Sequence, residues 1–306
     1  MKNLKEIQDL KSILALDFIA RAVVEGFITG LHKSPYHGFS VEFSEHRPYN
    51  IGESIRFIDW KLYARTEKLF VKKFEQETNL RNFIVLDTSS SMLFPMKSGK
   101  ADKLEFAVYI SAALMYLFRK QRDANGLILF SDKIDFFAPA KLNEAHFNFL
   151  LTQLQNLLEN QHQYQDKQTN LIDTLHQIAE RIPKRSLVII FSDLLVNTDI
   201  ELLINALQHL RYNKHEVIIF NVLDTNLEIN FDFENRPYKF VDMETGEKLR
   251  IHPKQIREEY KNSAEEYFRK IKYQTAQIGT DFVLADINRD FSEVLMAYLF
   301  KRQKMF

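Results

Sequence analysis

Five residues of this chain could gather hard oxygen donors at one point: Asp87, Ser89, Ser91, Thr169 and Asp193. The first three lie in Phe83-Ile84-Val85-Leu86-Asp87-Thr88-Ser89-Ser90-Ser91-Met92. There an apolar run ends in an acid, and hydroxyls then fall at every second position. A strand buried on both faces reads as such a continuous apolar run. Open α/β sheets place ligand sites at the carboxyl ends of their strands, so these oxygens are expected to point into one cavity at a sheet rim. One carboxylate with two hydroxyls suits Mg²⁺ or Mn²⁺ and suits Zn²⁺ poorly. The competing reading is a helix cap, since Ser and Asp are favoured there. Two further loops can reach the same cavity. Gln168-Thr169-Asn170-Leu171 opens a helical pattern, with Thr169 as its cap or as a hydroxyl ligand. Val188-Ile189-Ile190-Phe191-Ser192-Asp193 is a second apolar run ending in an acid.

Positioning these residues requires a sheet. From Asn82 onward strand and helix patterns alternate, with strands expected at 83–87, 126–131, 187–192, 216–222 and 281–285. Helices are expected at 101–121, 143–158, 170–182, 199–212, 254–278 and 290–301. That alternation predicts an α/β fold with a mostly parallel sheet covered by helices. Ile134-Asp135-Phe136-Phe137 follows a tight turn, which predicts one antiparallel edge strand. A second hairpin is expected from Tyr238–Val241 and Lys248–Ile251, around Asp242-Met243-Glu244-Thr245-Gly246-Glu247. Residues 1–80 differ in texture and form an expected accessory region beside a domain over 81–306. It opens with a helical stretch of roughly Leu4–Leu31 and continues with short strand patterns at Phe39–Phe43 and Leu69–Phe74.

Composition narrows the function. Lys plus Arg and Asp plus Glu number 41 each in 306 residues, so the balanced charge argues against a nucleic-acid or acidic-membrane footprint. No cysteine is present, which removes disulfides, thiolate metal sites and cysteine nucleophiles. Only 8 glycines, and neither a Walker A sequence nor a dinucleotide fingerprint, argue against a large Gly-rich phosphate loop. The longest apolar stretch, Ala107–Phe118, is too short for a bilayer span, and the amino terminus lacks a signal-peptide pattern. A cytoplasmic location with no membrane span is therefore expected. The nine histidines form no His-x-x-x-His pair, which leaves them packing or surface roles. No Gly-x-Ser-x-Gly turn flanks Ser89 or Ser91, and Ser89 stands where an aspartyl phosphatase would carry its second acid. The group Arg56, Asp59, Trp60 and Arg65 reads as structural, through Trp burial and charge-assisted hydrogen bonds.

Asp87-Thr88-Ser89-Ser90-Ser91, then Thr169, then Asp193 after an apolar strand resembles the metal-ion-dependent adhesion site of von Willebrand factor A domains. The resemblance implies a doubly wound sheet with helices on both faces. It implies Ser89, Ser91 and Thr169 as direct or near-direct ligands of Mg²⁺ (or Mn²⁺). Asp87 and Asp193 would bind directly or through water, and a partner protein's acidic residue would complete the shell. Arg47-Pro48-Tyr49, Gly52-Glu53, Arg56-Phe57-Ile58-Asp59-Trp60 and Ala64-Arg65-Thr66 further resemble the signature of a bacterial family of von Willebrand A-like proteins, domain of unknown function fifty-eight. The similarity runs from about residue 30 to the carboxyl-terminal helix. It implies a non-enzymatic, metal-dependent protein-binding module working with a MoxR-type AAA+ ATPase in assembly or maturation of other proteins. Three positions depart from the pattern: Ser54 replaces a second acid, and Leu194 and Gln168 stand where Gly is common. Bulk at Leu194 and Gln168 could narrow access to the cavity. The alternatives are a metal-free scaffold of the same fold and a divalent-metal hydrolase acting on phosphoesters. The latter would need a further carboxylate, for which Asp132 and Asp166 are candidates.

Overall fold

The computed structural model describes residues 13–31, 46–49, 60–72, 80–95, 101–164, 167–195, 199–291, 293–295 and 298–299. The expected strand at Phe39–Phe43, together with Arg56, Asp59 and Asp166, lies outside them. The chain divides into a unit of residues 28–79 and a larger unit formed by the rest. In the smaller unit, β1 (His46–Pro48) pairs antiparallel with β2 (Phe70–Lys72), and helix α2 spans Trp60–Thr66. Trp60 is 58% exposed and meets Tyr63 edge-on, so burial of this ring is not what the residue provides.

Helix α1 spans Ile13–Leu31, and its residues through Phe27 belong to the larger unit. Leu16, Ile19, Ala20 and Val24 are buried there, which attaches this helix to the larger unit instead of to the accessory region. Its sheet has the order β10-β7-β6-β3-β4-β5. The strands are β3 (Arg81–Asp87), β4 (Ala124–Phe130), β5 (Ile134–Lys141), β6 (Leu187–Ser192), β7 (Glu216–Leu223) and β10 (Asp281–Asp286). All pairs are parallel except β4 with β5, the expected antiparallel edge. The mostly parallel sheet is the one the strand–helix alternation predicts, and its doubly wound order is the one the resemblance implies.

Helices α3 (Lys103–Lys120), α4 (Glu144–Glu159), α5 (Leu171–Arg181), α6 (Ile200–Tyr212) and α7 (Pro253–Gln277) surround it. On one face Val85, Ile128, Val188 and Ile190 pack with Leu175 and Ile178 of α5 and Leu203 and Leu207 of α6. Side chains alternate along a strand, so Ile84, Leu86, Ile189 and Phe191 serve the other face, towards α3. Both sides of each central strand are buried, which is why these strands show no polar alternation. Full burial of each such side chain contributes about 1.5–3 kcal/mol. Across the paired strands, Phe191 and Phe220 stack with centroids 4.9 Å apart.

The chain leaves β3 towards β4 and β5, then returns to β6 on the other flank of β3. The strand order thus reverses between β3 and β6, and ligand crevices form at such a point. Their register sets Leu86 against Phe191, which brings Asp87 beside Ser192.

A last element bears on the site. Strands β8 (Tyr238–Val241) and β9 (Lys248–Ile251) form the second expected hairpin. Phe231 stacks on Phe240 at 5.4 Å and lies 4.5 Å from the Tyr260 ring of α7. Phe233 meets Phe240 edge-on at 5.0 Å. This aromatic cluster fixes the base of the hairpin and so determines where its turn lands.

Candidate metal centre

Asp87 ends β3 fully buried, and its carboxylate is surrounded by donors. Oδ1 accepts the Ser89 N–H (3.0 Å) and the Ser89 hydroxyl (2.7 Å). Oδ2 accepts the Ser192 hydroxyl (2.8 Å) and the Thr169 hydroxyl (3.4 Å). Ser89 Oγ also lies 3.1 Å from Ser91 Oγ. Four of the five residues singled out in the sequence are therefore joined in one hydrogen-bonded group. The cap reading fails for both loops. Ser89 precedes a short 3₁₀ turn, Ser90–Leu93, but makes no side-chain cap bond. Helix α5 is capped by Asn170, whose side chain accepts the Asp173 N–H, and this leaves the Thr169 hydroxyl to Asp87.

Asp193, the fifth, is buried one residue past β6. Its Oδ1 accepts the Leu195 N–H at 3.2 Å. Its Oδ2 takes the ammonium of Lys103 at 2.7 Å, and that ammonium also bonds Glu228 Oε1 at 2.6 Å. Burial alone would lower the Lys103 pKa, but Asp193 and Glu228 outweigh it and raise it, so the lysine stays charged. Burial pushes the Glu228 carboxyl up, against the pull of Lys103.

A third acid reaches the site from the turn of the β8–β9 hairpin. Glu244 Oε2 accepts the Thr169 N–H at 3.1 Å. Its Oε1 is buried and has no hydrogen-bond partner among the described residues. Burial raises the Glu244 pKa, with the Asp193 charge adding to the rise and the Thr169 N–H and Ser91 hydroxyl opposing it. Asp87 behaves alike: burial, then the charge of Asp193, pushes it up to about 7. The charge of Asp193 is thus felt by Asp87, Glu228 and Glu244, while Lys103 is the cation set against them. Buried charge without enough opposite charge is expensive. Hard oxygen donors, uncompensated negative charge and the orphaned Glu244 Oε1 all fit a hard divalent cation. Among the described residues, no three Asp, Glu or His side chains close into a metal cage by themselves. The donor set is instead rich in hydroxyls. Ser89, Ser91 and Thr169 could hold the cation with Asp87. Asp193, occupied by Lys103, could act through water.

Asp132 is exposed and sits beside the Ser131 hydroxyl at 3.1 Å, so the additional acid at the site is Glu244 instead. Lys103, Ser192 and Glu244 were not singled out in the sequence. The Phe-Ser-Asp strand end could have drawn attention to Ser192. Nothing local marks Lys103 or Glu244.

The two bulky departures differ in burial. Gln168 is exposed. Leu194 turns away into the apolar core, 1% exposed, with its backbone at φ +54°. That left-handed conformation explains why glycine suits the position, since other residues are disfavoured there by about 1–2 kcal/mol. The Leu194 N–H bonds Ser192 Oγ at 3.1 Å, and its carbonyl accepts the Tyr267 hydroxyl at 2.8 Å, which together hold the loop. Leu194→Ala should lose about 2–5 kcal/mol of stability through the cavity left behind. Leu194→Gly should be about 0.5–1 kcal/mol less damaging, because only glycine relieves the backbone. Denaturant unfolding of the pair checks this, and a more stable Ala variant would contradict the strain.

Acid and hydroxyl loops thus meet at the switch point of a doubly wound, mostly parallel α/β sheet. The family described as protein of unknown function DUF58 matches residues 45–269, and the chain belongs to it. Proteins described as uncharacterized from Mycobacterium tuberculosis and Mycobacterium bovis are 25% identical over 215 residues, which is 70% of this chain and 64% of each relative. The chain thus matches just under two thirds of their length. Among solved structures, an aerotolerance-related membrane protein from Bacteroides fragilis is 14% identical, with a TM-score of 0.44 over 74% of this chain and 100% of its own. The conserved hypothetical protein BatB from Bacteroides thetaiotaomicron is also 14% identical, with a TM-score of 0.45 over 74% of this chain and 99% of its own. Among the described residues of this chain, no helix is long and apolar enough to cross a membrane.

Proposed function

We propose that this protein is a non-enzymatic, metal-dependent protein-binding module. The observation that carries the reading is the convergence of Asp87, Ser89, Ser91 and Thr169 from two loops more than 75 residues apart, next to acids that, among the described residues, the Lys103 ammonium alone does not balance. A bound Mg²⁺ or Mn²⁺ would supply that missing positive charge together with an open position for an acidic side chain of a partner. Ser89, Ser91 and Thr169 orient the site. Asp87 contributes the charged oxygens, which Ser192 and Ser89 hold in place. The family resemblance suggests a MoxR-type ATPase as partner and assembly or maturation of other proteins as the setting.

Titration of Mg²⁺ and Mn²⁺ into the wild type and the Ser89→Ala/Ser91→Ala double variant tests this. A ligand that binds the native state at 100 times its Kd adds about 2.7 kcal/mol of stability. The wild type should gain on that scale and the double variant little. Equal responses would leave only the metal-free scaffold.

One observation favours a second reading, a metal-dependent phosphoesterase. Glu244 is a third acid at the site with a pKa raised by burial, which is what a general base there would need. Turnover of a generic phosphoester with Mn²⁺, lost in Asp87→Ala, would replace the binding reading.

A further inference from the structure

The turn that carries Glu244 is built to hold its shape. Asp242 Oδ1 accepts the N–H groups of Glu244 (2.8 Å) and Thr245 (2.9 Å). Gly246, at φ +73°, gives its N–H to the Asp242 carbonyl at 2.9 Å. The turn is also docked on the metal loops. Ser90 Oγ stands 2.7 Å from the Met243 carbonyl and 2.7 Å from that of Lys167, and it offers its one proton to either. Thr169 N–H reaches Glu244 Oε2 from the other side.

Asp242, Thr245, Gly246 and Glu247 are exposed, whereas Glu244 turns inward. Solvation alone would draw a hairpin carboxylate outward. Glu244 instead enters a site already crowded with negative charge and leaves Oε1 buried without a donor among the described residues. The Thr169 N–H on Oε2 does not explain the other oxygen. A cation would.

We propose that Glu244 is the resident carboxylate ligand of this site, an internal acid that takes the position otherwise left for a partner's. A partner's Asp or Glu would then bind by displacing it, and the β8–β9 turn would swing off Ser90 and Thr169 as it leaves. The inference rests on the metal-binding reading and goes beyond it by naming what completes the shell before any partner arrives.

The test uses the full chain and Mn²⁺ alone as probe, reading affinity and the number of exchangeable waters on Mn²⁺ by water-proton relaxation. Wild type, Glu244→Gln, Glu244→Ala and Asp87→Asn are compared. Relative to wild type, Glu244→Ala should bind Mn²⁺ about tenfold more weakly and show higher relaxivity, because water replaces the lost oxygen. Added acetate should lower the relaxivity of the Ala variant and leave wild type unchanged. Glu244→Gln keeps an acceptor for the Thr169 N–H, so it reports loss of charge with the hairpin still docked, and its relaxivity should also rise. If wild type and both Glu244 variants bind Mn²⁺ with equal affinity and hydration, while Asp87→Asn does not bind, the internal ligand is overturned and the metal site stands. If wild type binds no Mn²⁺, the metal-binding reading fails and the internal ligand fails with it.

Discussion

Replacing Lys103 by Met should cost about 3–5 kcal/mol of stability, the expected penalty for removing one partner of a buried ion pair. The Lys103 side chain is fully buried, and the carboxylates it serves, Asp193 and Glu228, are 2% and 12% exposed. Its place in the sequence is unfavourable on local grounds. It is the first residue of α3, directly after the Asp102 cap, where the helix dipole disfavours a cation. What holds it there is the pair of carboxylates beyond. Without the ammonium, those acids face each other and Asp87 with no other described cation to balance them. The same deficit should strengthen cation binding. In Lys103→Met, Mn²⁺ should therefore restore more stability than it adds to wild type. Denaturant unfolding with EDTA and with Mn²⁺ measures both effects. A loss below 1 kcal/mol would show that Lys103 is not the main counter-charge. An unchanged metal response would show that the lysine and the cation do not compete for Asp193.

Asp87→Asn should change stability with opposite sign depending on metal. The buried Asp87 carboxyl is pushed up to about 7, whereas the ordinary value is 3.8. In metal-free protein the native state therefore keeps a proton that the unfolded chain releases near pH 4. Between about pH 4 and 7 the native state binds more protons, so stability falls as pH rises through that window. For this group the full change is on the order of 4 kcal/mol, and it is complete above pH 7. Asparagine does not titrate, and the Thr169 and Ser192 hydroxyls can turn to accept from its amide. In EDTA the variant should show a flatter pH profile than wild type and greater stability at pH 8. With Mg²⁺ at pH 8 the order should reverse, because the variant lacks the charge that draws the cation. Urea midpoints at pH 5, 6, 7 and 8 in both buffers decide it. Parallel profiles for the two proteins would mean that Asp87 is not the group that carries the proton.

Much of this architecture is legible before folding. Phe83–Leu86 and Val188–Phe191 are apolar without alternation because both faces of their strands are covered, and that pattern identified them as central parallel strands. The acid at each strand end and the hydroxyl spacing after Asp87 pointed to a cation site, and Thr169 was one of two open choices. Trp60 shows the limit of such reading. Its ring is apolar enough to suggest burial, yet its surroundings leave it 58% exposed.

The residues that complete the site are legible only in space. In the sequence Lys103 is one residue at the start of a helix pattern, and Glu244 one polar residue in a hairpin turn. Lys103 meets Asp193 across 90 positions and Glu228 across 125, and Thr169 meets Glu244 across 75. Residue type and local periodicity determine strands, helices and turns, because those depend on neighbours a few positions away. They therefore determined which oxygens lie at strand ends. Which strands lie side by side, and where a hairpin turn comes to rest, depends on how distant apolar faces pack. The sheet order set Asp87 beside Ser192, and the cluster of Phe231, Phe240 and Tyr260 seated the hairpin. Only that packing decided that a buried lysine would balance Asp193 and that Glu244 would turn into the site.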